Sequence, residues 1–226
     1  NLSKQQRAIA VYGDFDVDGI SGTALLCRTI EELGGKTLPY IPNRMVEGHG
    51  LNETAIRQLA SAGAELLVTV DCGTTSSTEV ALALSLDMEV IVTDHHVASE
   101  NVPLGIPLLN PGIGDGYPYK GLTGAGVALK LAQAAYSLAG IDVPVTLLEL
   151  AALGTVADVG PLTGENRFIV SSGLKQLRET DNIGIKALVK RGDFALSQFS
   201  ARDLSFSIIP WLNAAGRMDD PNISLN

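Results

Sequence analysis

From residue 8 to residue 93 the chain alternates short apolar runs with amphipathic stretches of helical length, a rhythm that suits a parallel sheet with helical crossovers. Ile9 to Tyr12 reads as a buried strand, Ile20 to Leu33 as a helix closed by Gly34-Gly35, and Leu38 to Ile41 as a second strand. A helix around Glu53 to Ala62 ends at Gly63, and the strand Leu66 to Val70 follows. A helix around Ser77 to Leu86 and the strand Val90 to Thr93 complete the series. Right-handed βαβ crossovers are expected, and with them a three-layer α/β/α fold on a mainly parallel sheet.

Beyond Thr93 the character changes. Residues 97 to 121 contain Pro103, Pro107, Pro111 and Pro118 and read as a long surface loop. Helices are expected over Val127 to Leu138, Val145 to Leu153, Arg167 to Leu177 and Ile185 to Lys190. With 46% hydrophobic residues, 226 residues can bury one core. The expectation is a single domain over 1–226, with a βαβ core over about 1–110 and a mostly helical part over about 120–226 that completes the site. The chain starts at Asn1 without a methionine, which suggests a piece of something longer. No apolar run nears the roughly 20 residues of a membrane helix, and two cysteines, Cys27 and Cys72, make no disulfide framework. A soluble, cytoplasmic protein is expected.

Four acidic or imidazole clusters stand where apolar stretches give out: Asp14-Phe15-Asp16-Val17-Asp18-Gly19, Asp71-Cys72-Gly73, Asp94-His95-His96 and Ala157-Asp158. Ligands of open parallel sheets gather at the carboxyl ends of strands, so carboxylates on neighbouring strands would converge there. If the first strand continues far enough, Asp14, Asp16 and Asp18 share one face. A solvated acidic loop, or a helix start capped by Asp18, is the plainer reading of that segment. A calcium loop of the EF-hand type needs Glu at its twelfth position, which here is Leu25. Asp71 also reads as a turn residue or a cap for the following helix. Two of the chain's three histidines are adjacent in Asp94-His95-His96, which makes a metal or phosphate role the stronger reading there. His49 reads equally as a loop residue or a substrate contact. Gly124-Ala125-Gly126 suits either a phosphate cradle or close helix packing.

Carboxylates and imidazoles without further sulfur suit manganese, with magnesium as a substitute, better than structural zinc. Asp14, Asp16, Asp18, Asp71, His95 and Asp158 outnumber the needs of one ion, so two ions bridged by Asp71 are expected. The net charge of -9 argues against a basic nucleic-acid surface, although divalent ions would offset acids gathered at one site.

These motifs, with Gly154-Thr155-Val156-Ala157-Asp158-Val159-Gly160-Pro161-Leu162 added, resemble the successive motifs of the DHH phosphoesterase superfamily. Val11 to Gly19, Gly124 to Ala128 and Asn213-Ala214-Ala215-Gly216-Arg217-Met218 are most similar to its single-strand-specific 5'-to-3' DNA exonucleases. The resemblance implies hydrolysis of phosphodiesters with release of 5'-mononucleotides in DNA repair and recombination. It assigns metal binding to the six residues above, catalysis to His96 and Asp71, and substrate contact to His96, Asn213, Gly216 and Arg217. Single-stranded DNA is the implied partner, with a single-strand-binding protein or helicase beside it. The family's second, smaller domain has no counterpart in this chain, so manganese binding with poor DNA processing is expected of these residues alone. Where the family usually has arginine, this chain has Trp211, which removes a phosphate contact but could stack on a base. Two alternatives belong to other classes. One is a phosphodiesterase of short oligonucleotides, cyclic dinucleotides or pyrophosphate; Tyr12, where many such relatives have a ligand histidine, argues against it. The other is a non-catalytic scaffold of the same fold, in which ligands would be missing.

Overall fold

The computed structural model describes residues 7–218 and 222–225, the side chain of Met218 excepted. Strands β1 (Ala8–Tyr12), β2 (Lys36–Tyr40), β3 (Ala64–Thr69), β4 (Glu89–Thr93) and β5 (Leu108–Leu109) form one sheet in the order β2-β1-β3-β4-β5, every pair parallel. Between the first four run α1 (Val17–Glu32), α2 (Glu53–Ser61) and α3 (Ser77–Ser85). The first four strands and these three helices lie where the apolar rhythm predicts them, with ends displaced by a few residues. β2 is an edge strand and carries Pro39, a residue that central strands do not tolerate.

Alternating side chains of the strands face two separate cores. Ile9, Val11, Leu66, Val68 and Val70 pack beneath α1 and the helices α4 (Gly124–Ala139) and α5 (Leu147–Ala157). Ala10, Tyr12, Leu67, Val90 and Val92 pack against α2 and α3 on the other face. This is the three-layer arrangement expected. A third cluster, around Val17, Leu153, Leu177, Phe199 and Ile208, joins α1 and α5 to α6 (Gly164–Leu177), α7 (Ile183–Arg191), α8 (Ala201–Asp203) and α9 (Ile209–Met218); α10 (Asn222–Leu225) follows.

Two features depart from the sequence reading. The proline-rich segment is not all loop: Leu108 and Leu109 pair with Val92 and Thr93, and Asn110 Nδ2 donates to His96 O at 2.8 Å. A two-residue strand between prolines is too short to show a period. Residues 201–218, for which no helix is expected, are helical, with a π-turn over Leu204–Ile208. Pro210 has no N–H for the ladder, and the wide turn lies just before it.

α5 and α6 touch backbone to backbone at Gly173, where an added Cβ would stand 2.2 Å from Leu148 O and 2.4 Å from Ala152 Cβ. Gly173→Ala is therefore expected to cost about 1–3 kcal/mol through overpacking, read as a lower denaturant midpoint with unchanged slope.

Candidate metal centre

β1, β3 and β4 are neighbours and run the same way, so their carboxyl ends make one rim. Asp14 and Asp71 follow β1 and β3 closely, and Asp94 follows β4 directly. The expectation that Asp14, Asp16 and Asp18 share a strand face is corrected here: β1 stops at Tyr12, Asp14 and Asp16 occupy the turn, and Asp18 stands in the first turn of α1. The cap of α1 is Asp16 rather than Asp18; its Oδ1 accepts from Asp18 N at 2.9 Å and from Gly19 N at 3.2 Å.

Asp18 is instead committed to the second half of the chain. Its Oδ2 accepts from Gly124 N at 2.7 Å and its Oδ1 from Ala125 N at 2.9 Å, so a buried carboxylate faces the positive end of α4. Burial pushes the Asp18 carboxyl up to about 7 against these amides, which favour its charge, while Asp16 and Asp158 add to the rise. The glycines in this region are explained by proximity. A Cβ on Gly124 would stand 2.4 Å from Asp71 Cβ, and one on Gly154 would stand 2.4 Å from Asp18 Oδ1. The amides that open α4 are thus occupied by protein, and helix packing rather than a phosphate cradle accounts for Gly124-Ala125-Gly126.

Asp71 is buried and has φ 62, a left-handed conformation uncommon outside glycine. It does not cap α3, whose N-cap is Ser76. Val159, directly after Asp158, has φ 56, and such strained residues concentrate at functional sites. Asp71 Oδ1 lies 3.0 Å from His95 Nε2 and 3.9 Å from His96 Nδ1. His95 Nε2 is also 3.9 Å from Asp18 Oδ2, and its Nδ1 is 4.0 Å from Asp158 Oδ2. Asp71 is held well above the usual carboxylate range, first by burial and then by Asp18, Asp16 and Asp14. Burial draws the His95 ring downward.

Among the described residues, potential ligand atoms fall into three groups, each within 4.8 Å: Asp14, Asp16 and Asp71; Asp71, His95 and His96; Asp18, His95 and Asp158. All six residues expected to bind metal converge, and Asp71 and His95 each belong to two groups. A divalent cation fits this donor set for a specific reason. Asp14 Oδ1 and Asp71 Oδ1 are buried and accept no hydrogen bond, although His49 Nδ1 stands 3.2 Å from the first and His95 Nε2 3.0 Å from the second. Buried carboxylates left in that condition are costly without a counter-charge.

Asp94, which the sequence reading left without a role of its own, is the group that orders the two histidines. Its Oδ1 accepts from His95 N at 2.7 Å, from His96 N at 3.1 Å and from His96 Nδ1 at 2.7 Å, while Oδ2 accepts from Thr74 N at 2.9 Å. Burial would raise its carboxyl, but the bonds from His96 and Thr74 outweigh that and hold it far below the usual range. The signal was present in the sequence as an Asp preceding the two histidines at a strand end.

The remaining candidates lie on α9. Asn213 reaches the site's edge, its Oδ1 accepting from Val17 N at 3.1 Å. Gly216 is buried and Arg217 exposed. Trp211 packs beside Phe194, with ring centroids 6.4 Å apart, and lines a cavity with Ile20, Leu150 and Leu188. It packs on one side and remains 37% exposed on the other. Tyr12 is fully buried, its OH donating to Gly50 O at 2.9 Å.

The Asp94 contact holds the His96 ring above its ordinary pKa, against burial. Asp94→Asn should therefore lower the His96 pKa in metal-free protein, followed by long-range proton–nitrogen NMR titration; an unchanged value would show that the contact does not form in solution.

Comparison with known proteins agrees with this geometry. The family model "DHH family, N-terminal domain" matches residues 8–155. The single-stranded-DNA-specific exonuclease RecJ of Bacillus subtilis is 40% identical over 224 residues, covering 98% of this chain and 28% of the relative. The chain thus spans under a third of that relative's length. A crystal structure of exonuclease RecJ bound to manganese superposes with a TM-score of 0.90 at 36% identity, covering 98% of this chain and 56% of that one. RecJ of Thermus thermophilus in complex with Mn2+ gives 0.86 at 34% identity, covering 98% and 32%. With strand-end acids, adjoining histidines and the Asp158 turn assembled as one site, the chain belongs to the DHH family.

Proposed function

We propose that residues 1–226 form one catalytic unit, a manganese-dependent phosphodiesterase acting as a 5'-to-3' exonuclease on single-stranded DNA. The observation that carries this reading is that Asp71 belongs to two adjacent donor groups, as a carboxylate bridging two neighbouring ions would. Similarity to RecJ relatives supports the choice of substrate. Manganese suits the mixed oxygen and nitrogen donors, with magnesium as a substitute. We place the protein in the cytoplasm, in DNA repair and recombination, alongside a single-strand-binding protein or helicase and further domains of the longer protein. Among the described residues no helix is long and apolar enough to cross a membrane.

The part proposed for each residue is supported by its place. Asp14, Asp16, Asp18, Asp71, His95 and Asp158 would hold the ions, which when bound supply positive charge to a phosphate and acidity to water. His96, with Nδ1 tied to Asp94 and a half-exposed ring, offers its other nitrogen to the scissile phosphate. Asn213, Gly216 and Arg217 bind the strand near the mouth, and Asn213 also fixes α9 to the start of α1. Gly124 lets Asp71 sit against α4 without steric conflict. The small-substrate phosphodiesterase and the scaffold remain the competing readings.

Incubation with 5'-labelled single strands, duplexes, dinucleotides and pyrophosphate, with and without Mn2+, separates these readings. Slow, manganese-dependent release of 5'-mononucleotides from single strands is expected, abolished by chelation. Asp71→Ala should reduce it by more than about 100-fold, beyond what a merely supporting residue costs. Cleavage confined to dinucleotides or pyrophosphate would favour the small-substrate enzyme. Absence of both manganese binding and hydrolysis would favour the scaffold.

A further inference from the structure

Of the six candidate ligands only Asp158 is exposed. Its side chain stands 36% open, against 1% for Asp18 and 3% for Asp71. Among the described residues its carboxylate accepts no hydrogen bond, and the 4.0 Å approach to His95 Nδ1 is too long for one. Neither burial nor a bond therefore sets the direction of this side chain, which depends on the backbone turn behind it. That turn leaves α5 with Val159 at φ 56, a conformation that packing from outside has to hold.

Two side chains hold it. Tyr119 OH donates to Pro161 O at 3.0 Å, and its ring packs against Gly164, where an added Cβ would stand 2.7 Å from Cε2. Asn166, wholly buried in the first turn of α6, donates Nδ2 to Gly121 O at 2.6 Å. A Cβ on Gly160 would stand 3.0 Å from the same nitrogen. Residues 119–121 are thus tied to residues 160–166, and Tyr117 OH adds a bond to Glu165 Oε1 at 2.8 Å. Asn166 Oδ1 is buried and accepts no hydrogen bond among the described residues, so this amide is a costly choice for stability alone.

Each of the joined segments supports one carboxylate. Gly121 lies three residues before Gly124, whose N–H holds Asp18 Oδ2 at 2.7 Å, and Gly160 lies two residues after Asp158. The segments also touch directly, since a Cβ on Gly160 would stand 2.7 Å from Cγ2 of Thr123, the N-cap of α4. Asp18 and Asp158 share one donor group with His95. Two carboxylates repel, so the separation that a cation between them requires has to be imposed by the backbone that carries them.

We infer that Tyr119 and Asn166 are positioning residues that hold Asp158 at a set distance from Asp18 for a divalent cation, without touching the cation themselves. The inference rests on the metal-dependent hydrolase reading above. Calorimetric titration of the metal-free chain with Mn2+ tests it, with Asp158→Ala as the reference.

Tyr119→Ala and Asn166→Ala should each weaken one class of Mn2+ site by about tenfold, the size typical of a supporting contact, and leave the other class unchanged. Tyr119→Phe keeps the ring against Gly164 and loses only the bond to Pro161, so it should recover part of the affinity. A residue that acts through Asp158 has nothing further to lose once that carboxylate is gone. The double variant Tyr119→Ala with Asp158→Ala should therefore bind Mn2+ as Asp158→Ala alone does. Unchanged Mn2+ affinity in Tyr119→Ala or in Asn166→Ala overturns the inference for that residue and leaves the hydrolase reading standing. A further loss in the double variant overturns it as well, by marking general damage to the fold. An unsubstituted chain that binds no Mn2+ overturns the hydrolase reading and the inference together.

Discussion

Mutual repulsion among buried carboxylates is the constraint on which the rest of this structure depends. Asp14, Asp18 and Asp71 are each almost wholly removed from water, and Asp16 and Asp158 stand beside them. Nothing in hydrophobic packing favours such a gathering, and a low local dielectric makes each uncompensated charge more costly. The surrounding fold supplies partial compensation by several routes. Helix amides meet Asp18, imidazole nitrogens approach Asp71, and backbone and ring donors saturate Asp94. The oxygens of Asp14 and Asp71 that accept no hydrogen bond mark where this compensation stops and where a cation fits.

The two halves of the chain meet through the same chemistry. Asp18 belongs to the βαβ half and is partly compensated by the amides that open α4 of the helical half. Gly124 and Gly154 are the positions at which helices close on carboxylates, so any added side chain would push directly on Asp71 or Asp18. Hydrophobic contact backs this up, because Val17 of α1 packs with Leu153, Phe199 and Ile208 of the helical half. Folding of the second half and assembly of the site are in this sense one event. The strained backbone at Asp71 and Val159 fits that picture, since packing on several sides can hold a conformation that a free chain would avoid.

Outer groups define the inner ones. Asp94 fixes His95 and His96 through Oδ1 while Thr74 N holds its Oδ2, and Asn110, directly after β5, braces the same turn. Glu47 does the corresponding work for the segment carrying His49. Such supporting contacts hold the inner side chains in defined orientations.

How much of this was legible beforehand depends on the range of the forces involved. Parallel strands, their helices and the strand-end positions of Asp14, Asp71 and Asp94 follow from apolar periodicity, which is a local property of the chain. The spacing of Asp16, His95 and Asp158 likewise carried enough of a family pattern to nominate residues that the fold brings together. What a one-dimensional reading could not supply was which groups would face each other: that Asp18 would close α4, that Asp94 would serve the histidines, that Trp211 would lie beside Phe194 and that His49 would stand beside His96. Those outcomes rest on contacts between residues far apart in sequence, as in the 106 positions separating Asp18 from Gly124. Local propensity therefore determined the elements and the chemical types available at their ends, whereas only tertiary packing decided the pairings, because burial and electrostatic compensation depend on distances in space.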